Sequence, residues 1–158
     1  MPSARNSAQL ILWRHAEAED AIPGRISDTA RALTARGHAQ ASRIGTWLNR
    51  LLPQDFSILV SPATRTVQTA SAMGKPFIID ERIGLTASAS SVLDACAWPA
   101  LEGITLVVGH QPTLGEVAGM LLARPAMELP RGSIVWLKLT ATGTMLHLCM
   151  SPENIPSA

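Results

Sequence analysis

Three short runs of nearly unbroken apolar residues punctuate the chain: Leu10-Ile11-Leu12-Trp13, Ser57-Ile58-Leu59-Val60 and Ile104-Thr105-Leu106-Val107-Val108. Lacking the alternation of a half-exposed strand, they predict strands buried on both faces of a sheet. Stretches with helical spacing lie between and after them. The first covers 34–52, where Thr34 supplies an N-cap, Ile44, Trp47, Leu48 and Leu51 recur at helical spacing, and Pro53 ends the element. Further helices are predicted over 63–73, 90–98 and 113–123, the last two stopped by Pro99 and Pro125. Phe77-Ile78-Ile79 reads as a short strand. The β-prone segments 133–139 and 144–150, joined through Ala141-Thr142-Gly143, read as a hairpin.

Strand and helix patterns that alternate along a chain predict an α/β fold. Here it is a single-domain, mostly parallel central sheet flanked by helices on both faces, with a C-terminal antiparallel hairpin at one side. The domain is placed at 9–152, with loose tails at 1–8 and 153–158. A chain of 158 residues supports one core that needs neither disulfide nor metal to hold it. With 47% hydrophobic and 16% charged residues, the bulk of the chain is folded rather than disordered.

The net charge of +1 comes without a basic block or a basic–aromatic stripe, so no nucleic-acid partner is expected. No stretch approaches the ~20 apolar residues of a membrane span, and the run behind the polar N-terminus stops at Arg14, short of a signal-peptide core. No membrane partner is expected either. Cys96 and Cys149 are isolated and outside any Cys-x-x-Cys pattern, which argues against zinc or a redox pair and fits a reducing cytoplasm.

Candidate chemistry sits where the three buried strands stop. The first ends in Arg14-His15, the second in Ser61-Pro62-Ala63-Thr64-Arg65, and the third in Gly109-His110-Gln111-Pro112. In an open parallel sheet these ends share one edge, where ligands bind and helix N-termini point. Two arginines and two histidines therefore converge on one pocket. Guanidinium forks match phosphoryl oxygens, and a neutral imidazole can attack phosphorus. With no carboxylate cluster at these ends, neither metal nor cofactor is called for. Phosphate or sulfate would suit such a pocket. His38 and His147 read as surface residues, and Trp47 and Trp136 as core.

The motifs resemble those of the histidine phosphatase superfamily, also called the phosphoglycerate mutase-like family. The likeness rests on Leu12-Trp13-Arg14-His15-Ala16-Glu17, Leu33-Thr34-Ala35-Arg36-Gly37 with Gln40-Ala41, Ser61-Pro62-Ala63-Thr64-Arg65-Thr66-Val67-Gln68-Thr69, and Gly109-His110-Gln111-Pro112. Length and Arg31-Ala32-Leu33-Thr34 resemble its small SixA-type phosphohistidine phosphatase branch. Ala16 stands where the family signature carries glycine.

That resemblance implies a metal-independent phosphatase working through a phosphohistidine enzyme intermediate. His15 would be the nucleophile, Arg14 and Arg65 the phosphoryl clamp, and His110 the completing group. Arg31 and the backbone N–H of Gln111 would help bind substrate. Larger relatives carry a glutamate after the third strand, which makes Glu81 the first candidate general acid, with Glu17 and Asp28 as others. The implied substrate is a phosphohistidine-bearing protein, such as a phosphotransfer domain in signal transduction. A small phosphomonoester is the second substrate class, and a silent phosphate-binding module the reading from outside catalysis.

Overall fold

The computed structural model describes residues 7–156. A six-stranded sheet comprises β1 (Gln9–Arg14), β2 (Ser57–Val60), β3 (Ile78–Ile79), β4 (Ile104–Gly109), β5 (Ile134–Thr140) and β6 (Gly143–Met150). Their spatial order is β3-β2-β4-β1-β5-β6. The first four run parallel, while β5 pairs antiparallel with β1 and β6 antiparallel with β5. The expected hairpin thus lies directly against β1 and turns tightly from Thr140 to Gly143.

Four helices cover the sheet: α1 (Ala35–Leu51), α2 (Thr64–Ser71), α3 (Ala89–Ala95) and α4 (Thr113–Leu121). Alternate residues of each central strand serve opposite faces. Ile11, Trp13, Leu106 and Val108 pack with Ile44 and Leu48 of α1 and Ala70 of α2. Leu10, Leu12 and Val107 pack with Val92 of α3 and Leu114 and Val117 of α4. Residues 10–13 are wholly buried, which is why that run shows no polar alternation. Trp136 is buried, Trp47 packs against the core at partial exposure, and His38 and His147 are exposed.

Local chemistry fixes the helix ends. The Thr34 hydroxyl accepts from the Gly37 N–H at 2.9 Å, a capping bond of the kind the sequence predicts. A Cβ at Gly37 would overlap the Glu17 carbonyl, so this residue lets α1 start against the loop after β1. α3 stops at Ala95, short of the expected 98.

The segments expected to be loose behave differently where they are described. Ala8 is buried and its carbonyl accepts from Leu139 N–H at 2.9 Å. Pro152–Asn154 forms a 3-10 turn against α1, and Ile155 packs on the core. An apolar residue and a proline cover α1 there, outweighing the tail's polar composition. Residues 1–6 and 157–158 lie outside the described part of the chain.

Candidate active site

The strand order brings the predicted residues together. Arg14, the last residue of β1, is in register with Gly109 at the end of β4. His15 and His110 follow their strands as neighbours, with ring centroids 5.5 Å apart. The turn at the end of β2 is tied to the same edge, Ser61 N–H donating to the Val108 carbonyl at 3.1 Å. It leads into α2, whose first turn carries Arg65. A cavity of about 320 Å³ results, lined by Arg14, His15, Asp28, Arg31, Arg65, Leu85, His110, Gln111 and Arg131.

Both histidines are more than nine-tenths buried. Burial pushes the His15 imidazole down to about 3, and the cations Arg65 and Arg14 push the same way. Burial likewise lowers His110 to about 4, with Arg65 again unfavourable to its charged form. Each ring is therefore neutral at pH 7. The tautomer of His15 follows from its neighbours. A carbonyl only accepts, so the 2.8 Å contact between Nδ1 and the Ala16 oxygen places the proton on Nδ1. The lone pair is left on Nε2, which receives the Arg65 Nε–H at 3.3 Å.

Three arginines lining the cavity are anchored by hydrogen bonds. Arg65 also donates from Nη1 to the Asp28 carbonyl at 2.6 Å and reaches the Asp28 carboxylate with Nη2 at 3.4 Å. Arg31 holds the Glu19 carbonyl at 2.6 Å and the other Asp28 oxygen at 3.0 Å. Arg14 donates to the Leu129 carbonyl at 2.8 Å. Asp28 is thus bound by two guanidiniums, and the Arg31 hydrogen bond leads in holding its carboxyl below the usual carboxylate range. The Ser61 hydroxyl lies 2.7 Å from His110 Nε2. His110 Nδ1 and Arg14 Nε are buried without a partner among the described residues. Both atoms belong to residues that line the cavity, and such unmet capacity is of the kind functional sites retain.

The remaining candidates fall out as follows. The Gln111 side chain lines the cavity but is engaged, accepting from Gly115 N–H at 2.7 Å and donating to Met127 O at 3.0 Å. Its backbone N–H makes no hydrogen bond among the described residues. Glu81 sits exposed in the 3-10 turn Glu81–Ile83 and is not among the cavity residues. The chain turns there so that Leu85 faces the cavity instead. Glu17 accepts from the Thr34 hydroxyl at 3.0 Å, at the start of α1 and off the cavity. Of the three carboxylates, only Asp28 lines it.

Ala16 is fully buried and sits outside the left-handed region that would require glycine. Its methyl group packs into the core beside α1 and α2. Arg131 and Leu85 are lining residues that the strand-end reasoning passes over. The signal for Arg131 is topological: β5 antiparallel to β1 must begin at the edge where β1 ends. No group of three or more His, Cys, Asp or Glu gathers in a metal-binding arrangement among the described residues. Cys96 and Cys149 are free thiols, and no helix of the described residues is long and apolar enough to cross a membrane.

Comparison with known proteins places this fold and site in a family. The sequence pattern of the histidine phosphatase superfamily (branch 1) matches residues 10–104, and the chain belongs to that superfamily. A Haemophilus influenzae protein described as a phosphohistidine phosphatase SixA homolog is 32% identical over 130 residues, covering 73% of this chain and 77% of the relative. The SixA structure from Agrobacterium tumefaciens superposes with a TM-score of 0.77 at 25% identity, covering 91% of this chain and 97% of that one. A protein histidine phosphatase SixA complexed with tungstate gives a TM-score of 0.81 at 21% identity, with 94% and 99% covered. Family and fold together support phosphatase activity.

Proposed function

We propose that the protein hydrolyses phosphohistidine on a protein, through a phosphohistidine intermediate on His15. The observation that carries this reading is the neutral His15 ring, with Nδ1–H held by the Ala16 carbonyl and the Nε2 lone pair turned to Arg65. In the first displacement Nε2 attacks phosphorus, a P–N bond forms, and the bond to the leaving imidazole breaks. Protonated on its other ring nitrogen, that imidazole departs as a neutral molecule. In the second, water attacks the phosphorus on His15, gives its proton to solvent, and orthophosphate leaves with the Nε2 lone pair restored. Arg14, Arg65 and Arg31 neutralise the phosphoryl oxygens, with His110 and the Gln111 N–H adding contacts.

The carboxylates decide between substrate classes. Asp28, bound by two arginines and held ionised, is a poor proton donor at neutral pH, and Glu81 and Glu17 lie off the cavity. Expelling an alkoxide calls for a good acid, whereas imidazole, with a conjugate-acid pKa of ~6.5, does not. This favours phosphohistidine over an alkyl phosphomonoester. The ordinary backbone at Ala16 tells against a silent binding module on the ground of loop geometry. The relative named as a SixA homolog and the tungstate-bound SixA fit the same reading, and two free thiols suit a reducing cytoplasm.

Trapping the enzyme with a phosphohistidine peptide under alkaline quench should give a mass adduct on His15, and His15→Ala should abolish turnover without unfolding the chain. An adduct on Ser61 or Thr64 would overturn the mechanism. Because the positive charge at the site is guanidinium, activity is expected to survive EDTA; loss restored by added metal would contradict the scheme.

A further inference from the structure

Four guanidiniums face the cavity, and they are not equivalent. Arg14, Arg31 and Arg65 are each fixed by hydrogen bonds to main-chain carbonyls, to the Asp28 carboxylate or to His15. Arg131 makes no hydrogen bond or ion pair among the described residues, and it is exposed. It is nonetheless carried on a well-fixed loop. Gly132 N–H donates to the His15 carbonyl at 3.0 Å, and the Trp13 indole N–H donates to the Gly132 carbonyl at 3.0 Å. Arg14 N–H donates to Ser133 O at 3.1 Å, and the Ser133 hydroxyl closes the turn onto the Pro130 carbonyl at 2.5 Å. Gly132 takes a φ of +74° to make that turn.

The fixed loop holds a free cation beside other cations. Of the charges acting on Arg14, Arg131 is the strongest, and it is repulsive. Glu128 offsets part of that repulsion, and an incoming anion relieves the rest. Arg65 is already committed to His15 Nε2, where the transferring phosphoryl group must sit, and Arg14 and Arg31 are held by their own partners. Asp28 and Arg65 stand on the β2 side of the cavity. Arg131 enters from the β5 side, beyond β1 in the sheet order. A group it meets there belongs to the body of the substrate.

We infer that Arg131 is a specificity residue, which takes a carboxylate of the substrate flanking the phosphoryl group held by the deeper arginines. The inference rests on the cavity being the phosphoryl site proposed above, but not on the substrate being phosphohistidine. A protein substrate would supply the carboxylate as an Asp or Glu beside its phosphorylated histidine. A planar guanidinium fork recognises that group in two-point fashion.

The test compares matched pairs that differ in one charge: 4-carboxyphenyl phosphate against its carboxamide, and phosphohistidine peptides with Glu against Gln next to the modified residue. The kcat/KM ratio within each pair is the readout, which cancels common effects on the phosphoryl cradle. In the wild type the carboxylate is favoured by about tenfold, the worth of one charge-assisted contact. Arg131→Ala should bring the ratio close to one, Arg131→Lys should keep part of it, and added salt should weaken it. A wild-type ratio near one, or a ratio unmoved by Arg131→Ala, overturns the inference. If only the aryl pair is turned over and its ratio collapses in Arg131→Ala, the inference stands and the phosphohistidine reading falls.

Discussion

The chemistry of the site turns on where one proton resides. His15 Nδ1–H has a carbonyl acceptor in Ala16 at 2.8 Å, and burial with Arg65 and Arg14 nearby holds the ring's pKa down to about 3. An ordinary histidine, with a pKa of ~6.5, would be partly protonated near neutrality and unable to attack in that fraction. The expected outcome is a His15 ring that stays neutral, as the Nδ1–H tautomer, from pH 8 to pH 5. Nitrogen-15 NMR of the imidazole would read both the charge and the tautomer. A titration midpoint near 6.5, or a proton on Nε2, would contradict the assignment. His110 should behave alike, its value of about 4 having the same main cause, burial.

At the scale of elements, the family motifs act mostly as fasteners that hold the two histidines and Arg65 in place. Gln40 of α1 accepts from Glu17 N–H at 3.0 Å, Gln68 of α2 from Leu33 N–H at 2.7 Å, and Thr69 from Ala16 N–H at 3.1 Å. Gly37 lets α1 touch the same loop without a side chain between them. Gly37→Ala should therefore cost about 1–3 kcal/mol, the usual range for overpacking, because the atom it would meet is backbone. A urea midpoint unchanged from wild type would show that the loop yields freely. Much of this frame is legible in the sequence. Continuous apolar runs mark β1, β2 and β4, and polar residues directly after them mark the edge where the candidate site lies. Strand pairing is not legible in the same way, because a local pattern does not say which strand β5 joins. Arg131 therefore goes unnoticed, although it stands on the loop that β5 brings beside His15. Glu81 fails for the opposite reason: its place after the third strand is right in sequence, but the 3-10 turn aims it at solvent.

For the molecule as a whole, two apolar layers hold the sheet, and that sheet supports at its edge a cluster of like charges, two buried imidazoles and, at His110 Nδ1 and Arg14 Nε, unmet hydrogen-bonding capacity. This arrangement ties stability to pH with a definite sign. In the unfolded chain both histidines titrate near 6.5; in the fold they do so at about 3 and about 4. Between those limits the unfolded state binds more protons, so the free energy of unfolding falls as pH falls. The contribution is fully present above about 6.5 and is lost progressively on acidification through the window down to those folded values. Each histidine contributes a slope of at most about 1.4 kcal/mol per pH unit. The depressed carboxyls of Asp28 and Asp80 lose their contribution only below the ordinary aspartate range, so they leave the window between about 6.5 and 4.5 to His15, His110 and the exposed His147, whose imidazole slight burial and Lys138 also lower. Urea unfolding followed from pH 7 to pH 4.5 should show this decline, and His110→Asn or His15→Asn should each remove part of the slope, whatever it does to absolute stability. A slope identical in both variants and the wild type would mean that the rings are not held neutral by the fold. Sulfate, which keeps its dianionic charge across this range, adds a check of opposite sign, because an anion among the arginines favours protonated imidazole. With sulfate bound, the decline on acidification should be shallower than in its absence.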